Sequence, residues 1–337
     1  MLTWPHAHSD WSHRLDAVYP VFAGIGAQIS RYEPLLSVCQ SRPHAESIRS
    51  MLHRAGAEPG RLLFAIAASN DTWARDHGPL TTLSGSLPRL NDFVFNGWGG
   101  KFEAGDDSAI TGSLHEQGAF AATALLGSQL VLEGGAIETD GAGSLLATRS
   151  SMITDTRNPG LDQAGLEKRL SEYLGIERFL WLDHGDISGD DTDGHIDTLA
   201  RFCDQQTLVY ATAPVGDSDH PALSEMHREL LELTMTDGRP YRLVPLPFPG
   251  VHRDRDGRRL PATYANFLII NGAVLLPVYG VAQDQEAAAV IQSVFPDRNV
   301  IPIDCREIIR QNGSLHCLTM QFPAQVTVRD TLEQFAA

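Results

Sequence analysis

Basic residues are few in this sequence, and long apolar runs are missing. Lysine and arginine together number 26 against 42 aspartates and glutamates, a formal charge of −16. No basic face or stripe interrupts that excess, and a phosphate backbone demands one, so nucleic acid is excluded as a partner. No apolar run approaches the roughly 18 residues that span a bilayer, so no membrane partner is expected. The opening stretch, MLTWPHAHSDWSHRL, lacks the basic-then-apolar order of an export signal. Cysteine is scarce: Cys39, Cys203, Cys305 and Cys317 show no paired spacing. Reduced thiols and a cytoplasmic location are the expectation. Nucleotide-binding loops are missing too. GIGAQI from Gly24 and GAGSLL from Gly141 lack the third glycine of a dinucleotide fingerprint, and neither a P-loop nor a G-x-S-x-G elbow occurs. No cofactor is implied.

What remains supports a folded α/β chain. Apolar residues make up 42% of the sequence, enough for a substantial core. Leu166, Leu170, Tyr173 and Leu174 fall on one helical face, with Gly175 placed to end it; Leu223, Met226, Leu230 and Leu233 form another. Gln283 to Val294 and Pro43 to Arg54 read as two more helices. Each is followed by a short apolar run that reads as a strand: RLLFAIA, RFLWL, RLVPL and NVIPI. That alternation predicts an α/β fold. No linker-like stretch marks a boundary, so residues 1–337 are expected to form a single domain. Five polar-tipped segments, around Asp76, Glu133, His195, Asn266 and Cys317, recur at intervals of 57, 62, 71 and 51 residues. Near-regular spacing of this kind suggests five similar units.

The densest chemistry lies in DDTDGHIDTLARF, Asp190 to Phe202. On a strand, His195 and Asp197 would project from one face. One His and one Asp are too few for a zinc site, and neither His184 nor His316 completes a familiar ligand spacing. In NGSLHCLTMQFP, Asn312-Gly313-Ser314 signals a turn, and Cys317 follows in what reads as a short apolar strand. A Cys in such a run is as a rule a small buried hydrophobe, unless a histidine and carboxylates converge on it. Asp76 stands between Arg75 and His77 before a Gly-Pro turn, where a turn cap and a functional carboxylate look alike. Glu133 precedes two glycines, which permit close backbone approach.

Taken together, DTWARDHGP, FNGWGGKF, LEGGAIETDGAGSLLAT, RNPG, GDDTDGHIDTLARF, YANFLIINGAVLLPVYG and LHCLTMQFP resemble the signatures of the agmatine deiminase family. That family is part of the bacterial-type peptidylarginine deiminase group of guanidine-modifying enzymes. The likeness runs in order from about Trp4 to Pro323. It implies a pentein fold, a five-bladed α/β propeller with pseudo-fivefold symmetry around a central active site, and a homodimer. By motif, Cys317 resembles the nucleophile and His195 the general acid/base. Asp76 and Asp197 resemble the two carboxylates that clasp the guanidinium, and Glu133 the residue that orients the histidine. Trp73 resembles a pocket wall, with Asp190 and Asp191 placed to meet a substrate amine. The chain departs from the family pattern at Asp191-Thr192-Asp193, where Glu-Thr-Asn is common, and at Asn312-Gly313-Ser314, where glycines are common.

The implied substrate is a small cationic guanidine, with agmatine as the expectation and no metal required. A guanidinium is planar and resonance-stabilised, so its carbon is a poor electrophile until carboxylates fix its plane and a thiolate is held against it. Surrounding carboxylates oppose formation of that thiolate, and the substrate's own charge is expected to offset them. Three other readings stay open on sequence grounds. They are deimination of peptidyl or free arginine, a metal-dependent hydrolase using His195 and Asp197, and a non-catalytic polyamine binder.

Overall fold

Short strands and helices alternate through the computed structural model of the chain, which is described over residues 1–332. The helices expected from periodicity are present as Arg42–Arg54, Gln163–Leu174, His220–Glu232 and Gln283–Val294. Local chemistry sets their ends. The Asp162 side chain accepts from the Gly165 N–H at 2.9 Å, and Gly175 closes the same helix at φ 70°. The expected strands appear as Leu62–Ile66, Arg178–Leu182, Arg242–Pro245 and Asn299–Asp304. Each is the last strand of its unit. A parallel neighbour can be reached only by a crossover, and the preceding helix supplies it.

The units repeat one pattern. In four sheets a central strand pairs antiparallel with the strand before it and parallel with the strand after the helix. The central strands are Leu87–Val94, Ser144–Thr148, Thr207–Tyr210 and Ala273–Val278. A fifth sheet pairs Leu2–Thr3, Leu35–Cys39 and Leu62–Ile66 in parallel, with Thr319 bridging antiparallel to Leu2. The polar segments noted in the sequence hold one place in this pattern. Asp76, Glu133, His195, Asn266 and Cys317 each lie just ahead of the residues that form the antiparallel pairing. The spacing therefore reflects a structural repeat.

The chain divides into two compact units: Met1–Gly134 with the segment from Leu318 onward, and Gly135–Cys317. The first has a core that includes Leu36, Val38, Leu90, Leu114 and Phe120. In the second, Leu223, Met226 and Leu230 of one helix bury against Leu182, Leu199 and Leu208. Each fully buried Leu or Met contributes about 1.5–3 kcal/mol. The helix Leu15–Ser30 was not expected from the sequence, because Pro20, Gly24 and Gly26 obscure its pattern. Gly26 is there for contact: a Cβ would lie 2.6 Å from Leu52 Cδ2 and 2.9 Å from Leu35 Cδ2. Gly26 of GIGAQI thus serves helix packing, whereas a Cβ at Gly24 would meet nothing within 4 Å.

The loop after Leu62–Ile66 is held by carboxylates. The helix Gly105–Glu116 begins at Ala104, which cannot cap it, so Asn70 Oδ1 accepts the Asp106 and Asp107 N–H groups at 2.8 and 3.2 Å. Asp107 reciprocates, accepting the Asn70 and Asp71 N–H groups at 2.8 and 3.1 Å. Burial pushes the Asp107 carboxyl up to about 7. Burial, then the charge of Asp107, pushes Asp71 up to about 8. Because the folded values lie above the unfolded value near 4, protonation stabilises this loop. That contribution is complete below about pH 4 and lost as pH rises through 7 to 8. Asp71→Asn keeps the acceptor for Trp73 and removes the charge. It is expected to reduce the loss of unfolding free energy between about pH 5 and 9 by on the order of 1–3 kcal/mol. Urea titrations across that range measure the effect, and parallel profiles for the two proteins would refute it.

Candidate active site

The sequence reading placed His195 and Asp197 on a strand. The structure corrects this: Ile196–Thr198 is a single 3-10 turn with His195 at its N-cap, and the strand begins at Ala200. The cause is polar loop chemistry, which overrides a two-residue periodicity. Asp190 accepts from Thr192 Oγ1 at 2.7 Å and from the Gly194 N–H at 2.9 Å. Asp193 and Gly194 take left-handed backbone at φ 71° and 88°. The Thr198 hydroxyl and N–H then both donate to the His195 carbonyl, at 2.8 and 3.2 Å. Cys317 is likewise in a turn, Leu315–Leu318, and the expected strand shrinks to the bridge at Thr319. The turn expected at Asn312 is present, with Asn312 at φ 66°.

Within the Gly135–Cys317 unit these two turns meet. Cys317 Sγ lies 3.7 Å from Asp197 Oδ2. Asn266 sits beside them, and its amide orientation is set by its partners. Its Oδ1 accepts the backbone N–H groups of His316 and Cys317 at 2.9 and 3.3 Å. Its Nδ2 therefore faces the other way, 3.3 Å from Cys317 Sγ and 3.3 Å from the Asp197 carbonyl oxygen. An N–H aimed at sulfur stabilises a thiolate. Asp197 is completely buried, and its Oδ2 accepts from His316 Nδ1 at 2.8 Å. Behind His316 stands Arg201, with Nη2 3.1 Å from His316 Nε2 and Nε 2.7 Å from Glu138 Oε2. Cys317, Asp197 and His195 are all buried.

In the Met1–Gly134 unit, Asp76 belongs to the short helical turn Ala74–His77 and is buried. The Trp98 indole N–H donates to its Oδ2 at 3.0 Å. Trp98 has φ 56° and ψ 51°, which a bulky side chain adopts only when its surroundings hold it there. Trp73 packs edge-on against Trp98 with centroids 6.5 Å apart, and its indole N–H donates to Asp71 Oδ2 at 2.9 Å. Glu133 is fully buried in the turn after Ala124–Val131. Gly134, which follows it, is required by close approach: a Cβ there would lie 2.2 Å from the Arg75 carbonyl oxygen. The Glu133 turn thus packs on the backbone next to Asp76.

The carboxylates of the acidic loop are engaged both within it and with neighbouring segments. Beyond Asp190, Asp191 Oδ2 accepts from Asn312 Nδ2 at 2.7 Å, and Asp193 pairs with buried Arg157 at 2.9 Å. Arg157 Nη2 also donates to the Thr192 carbonyl oxygen at 3.0 Å. The two departures from the family pattern, Asp191-Thr192-Asp193 and Asn312-Gly313-Ser314, therefore contact one another. His184 lies apart on the surface, raised in basicity by its hydrogen bond to Glu229. Among the described residues, no group of three or more His, Cys, Asp or Glu side chains is arranged to hold a metal ion.

Four residues with a part in this geometry carried no role in the sequence reading: Asn266, Arg201, Trp98 and, as a partner of Asp197, His316. Signals for three of them were present. Asn266 is the polar tip of an apolar run, Trp98 is flanked by glycines, and His316 adjoins Cys317. Nothing local distinguishes Arg201.

The family model of the Porphyromonas-type peptidyl-arginine deiminases matches residues 1–323. The agmatine deiminase of Pseudomonas aeruginosa strain LESB58 is 32% identical over 351 residues, covering 96% of this chain and 92% of the relative. A solved structure from Porphyromonas gingivalis, provisionally named an arginine deiminase, is 48% identical with a TM-score of 0.90, covering 97% of this chain and 96% of that one. The C. jejuni agmatine deiminase with substrate bound is 31% identical with a TM-score of 0.86, covering 98% and 92%. Together with the model match across nearly the whole length, these establish that the chain belongs to the Porphyromonas-type peptidyl-arginine deiminase family.

Proposed function

We propose that this protein hydrolyses agmatine to N-carbamoylputrescine and ammonia through a covalent intermediate on Cys317. The observation that carries the proposal is the Cys317 thiol set 3.7 Å from a fully buried carboxylate, with an amide N–H at its sulfur. A buried anion beside a sulfur nucleophile suits a flat cation whose carbon is to be attacked. The 32% identical agmatine deiminase of Pseudomonas aeruginosa supports the choice of substrate. So does the acidity of Asp190–Asp197, which suits a ligand with an amine at its far end better than one with a carboxylate. The same proposal takes residues 1–337 as one catalytic domain of the five-bladed pentein type, active in the cytoplasm as a homodimer. The repeated strand–strand–helix–strand unit and the family match through residue 323 support the domain, and four cysteines outside any disulfide suit the compartment.

The chemistry follows from the residue types. Asp76 and Asp197 receive the N–H edges of the guanidinium, and Trp73 and Trp98 wall the pocket. The Cys317 thiolate adds to the guanidinium carbon. His195 gives a proton to the departing nitrogen, the C–N bond breaks and ammonia leaves, with the carbon now bonded to sulfur as a thiouronium. His195, oriented by Glu133, then removes a proton from water, whose oxygen adds to that carbon. The C–S bond breaks, releasing the ureido product and restoring the thiolate. Asp190 and Asp191 shape the loop around the substrate tail through their contacts with Gly194 and Asn312.

A second reading, deimination of peptidyl or free arginine to citrulline, draws on the name of the 48% identical Porphyromonas gingivalis structure. Colorimetric ureido assays separate the two. The value of kcat/KM for agmatine is expected to exceed those for arginine and an arginyl peptide by at least about tenfold, and the reverse order would replace agmatine with arginine. Cys317→Ala is expected to lower kcat by on the order of 10⁴-fold or more, while chelation leaves the native enzyme active. Loss of activity on chelation with Cys317→Ala still active would sink the thiol mechanism.

Cys317 also generates a prediction about ligand coupling. Its S–H has two acceptors, Asp197 Oδ2 at 3.7 Å and Asn266 Oδ1 at 3.4 Å, and the carboxylate opposes a neighbouring negative charge. A bound guanidinium neutralises that carboxylate. Alkylation of Cys317 by a small neutral reagent such as iodoacetamide, followed against pH, is expected to show a lower thiol pKa when a slowly reacting guanidine too small to cover the sulfur is present. An unchanged profile at saturating ligand would count against the coupling.

A further inference from the structure

We propose that Arg201 locks His316 as a neutral imidazole with its proton on Nδ1, making His316 and Arg201 positioning residues that hold Asp197 without neutralising it. This inference rests on the reading of Asp197 as a carboxylate that receives the substrate guanidinium. The argument is one of donors and acceptors. An arginine side chain has only donors, and it stays charged at any pH a protein survives. Arg201 Nη2 lies 3.1 Å from His316 Nε2. That nitrogen must therefore present a lone pair, because an N–H there would meet another N–H, and an imidazolium would meet a guanidinium at contact distance. The single ring proton is left on Nδ1, which faces Asp197 Oδ2 at 2.8 Å.

Arg201 is fixed in place by everything around it. Nε donates to Glu138 Oε2 at 2.7 Å, and Nη1 donates to the carbonyl oxygens of Ala265 and Phe267 at 3.1 and 2.9 Å. Its guanidinium lies over the Phe267 ring, 4.7 Å from the centroid. Glu138 is itself held, its Oε1 accepting the Phe202 N–H at 3.1 Å. Arg201, Glu138, His316 and Asp197 are all buried. The charged groups facing His316 include Asp197 from the Ile196–Thr198 turn and Arg201 from the strand Ala200–Phe202. Glu138 lies behind Arg201, and Cys317 follows His316 in the chain. Glu138 and Arg201 cancel each other's charge. A protonated His316 would cancel Asp197 and compete with a cationic substrate. A neutral His316 gives the carboxylate one hydrogen bond, fixes its plane and leaves its charge for the ligand.

Two measurements test this. In the intact enzyme labelled with ¹⁵N-histidine, with His316 identified by difference against His316→Asn, its Nδ1 is expected to carry the proton and Nε2 none between about pH 5 and 8. A proton on Nε2, or a second proton gained in that range, would overturn the proposal. In the double variant Glu138→Gln/Arg201→Gln the buried ion pair is removed as a unit, so no lone charge is stranded. There His316 is expected to take a second proton as pH falls, and kcat/KM to gain an acidic limb carried by KM. A folded double variant with the native pH profile would also overturn it. If that variant fails to fold, the tautomer measurement decides alone. Side-chain geometry gives a further readout. Asn at 316 can replace the Nδ1–H donor and Gln can replace only the acceptor for Arg201, so KM is expected to rise at least about tenfold more in His316→Gln than in His316→Asn. Equal increases would count against the assignment. Failure of the deiminase reading looks different: no guanidine hydrolysis at all, with the His316 tautomer unchanged.

Discussion

Removing an ionised carboxylate from water costs several kcal/mol unless donors or an opposite charge replace the solvent. Asp197, with 0% of its surface exposed, is the residue around which the polar interior of the Gly135–Cys317 unit is arranged. The replacement takes the form of a relay running outward. His316 donates to Asp197, Arg201 donates to His316, and Glu138 accepts from Arg201. Each contact has one direction open to it, because Arg201 only donates and the Asp197 and Glu138 carboxylates only accept. The outer end of the relay is anchored on backbone, at Phe202, Ala265 and Phe267. Phe202 ends the strand Ala200–Phe202 and Phe267 immediately precedes the strand Leu268–Ile270, so the position of the carboxylate is inherited from sheets.

That inheritance explains why a repeated fold suits the chemistry. In each unit the chain emerges from a crossover and travels through a polar segment before entering its antiparallel strand. Such a segment is constrained at its far end by ladder hydrogen bonds, yet it carries irregular backbone that can aim a side chain. His195, Asn266 and Cys317 are placed in this way. So is Asp76, whose turn is further fixed by the approach of Gly134 to the Arg75 carbonyl. The cost is visible in Trp98, held in left-handed backbone while its indole meets Asp76.

How much of this could be read from the sequence depends on what kind of signal each feature carries. Helices such as Gln283–Val294 and strands such as Arg178–Leu182 were legible to within a residue or two, because periodicity and terminal residues agree there. Leu15–Ser30 was not, since Gly26 is chosen for contact with Leu35 and Leu52, which lie elsewhere in the chain. The site residues Cys317, His195 and Asp197 were legible as types and through family resemblance. Their local geometry was not, because period-two reasoning presumes a strand, and Asp190 and Thr198 bind the loop into a turn instead. Arg201 lies outside any local reading. Its importance consists of contacts with Glu138, Ala265, Phe267 and His316, all remote in sequence.

On the proposed mechanism, the carboxylate that receives the guanidinium also opposes a negative charge on the neighbouring sulfur. At 3.7 Å from Asp197, a Cys317 thiolate would pay a Coulombic penalty in surroundings that screen it poorly. The Asn266 N–H at 3.3 Å returns only part of that. A guanidinium changes the sum at one stroke, because it brings a positive charge to the acid and an electrophilic carbon to the sulfur. Activation is thereby coupled to occupancy by the right kind of ligand. A neutral amide of similar shape would occupy space without lifting the penalty, and an ammonium would lift it without offering a carbon to attack. The physical basis for selecting a guanidine over other cations thus lies in the pairing of thiol and carboxylate itself, before any contact with the rest of the substrate is counted.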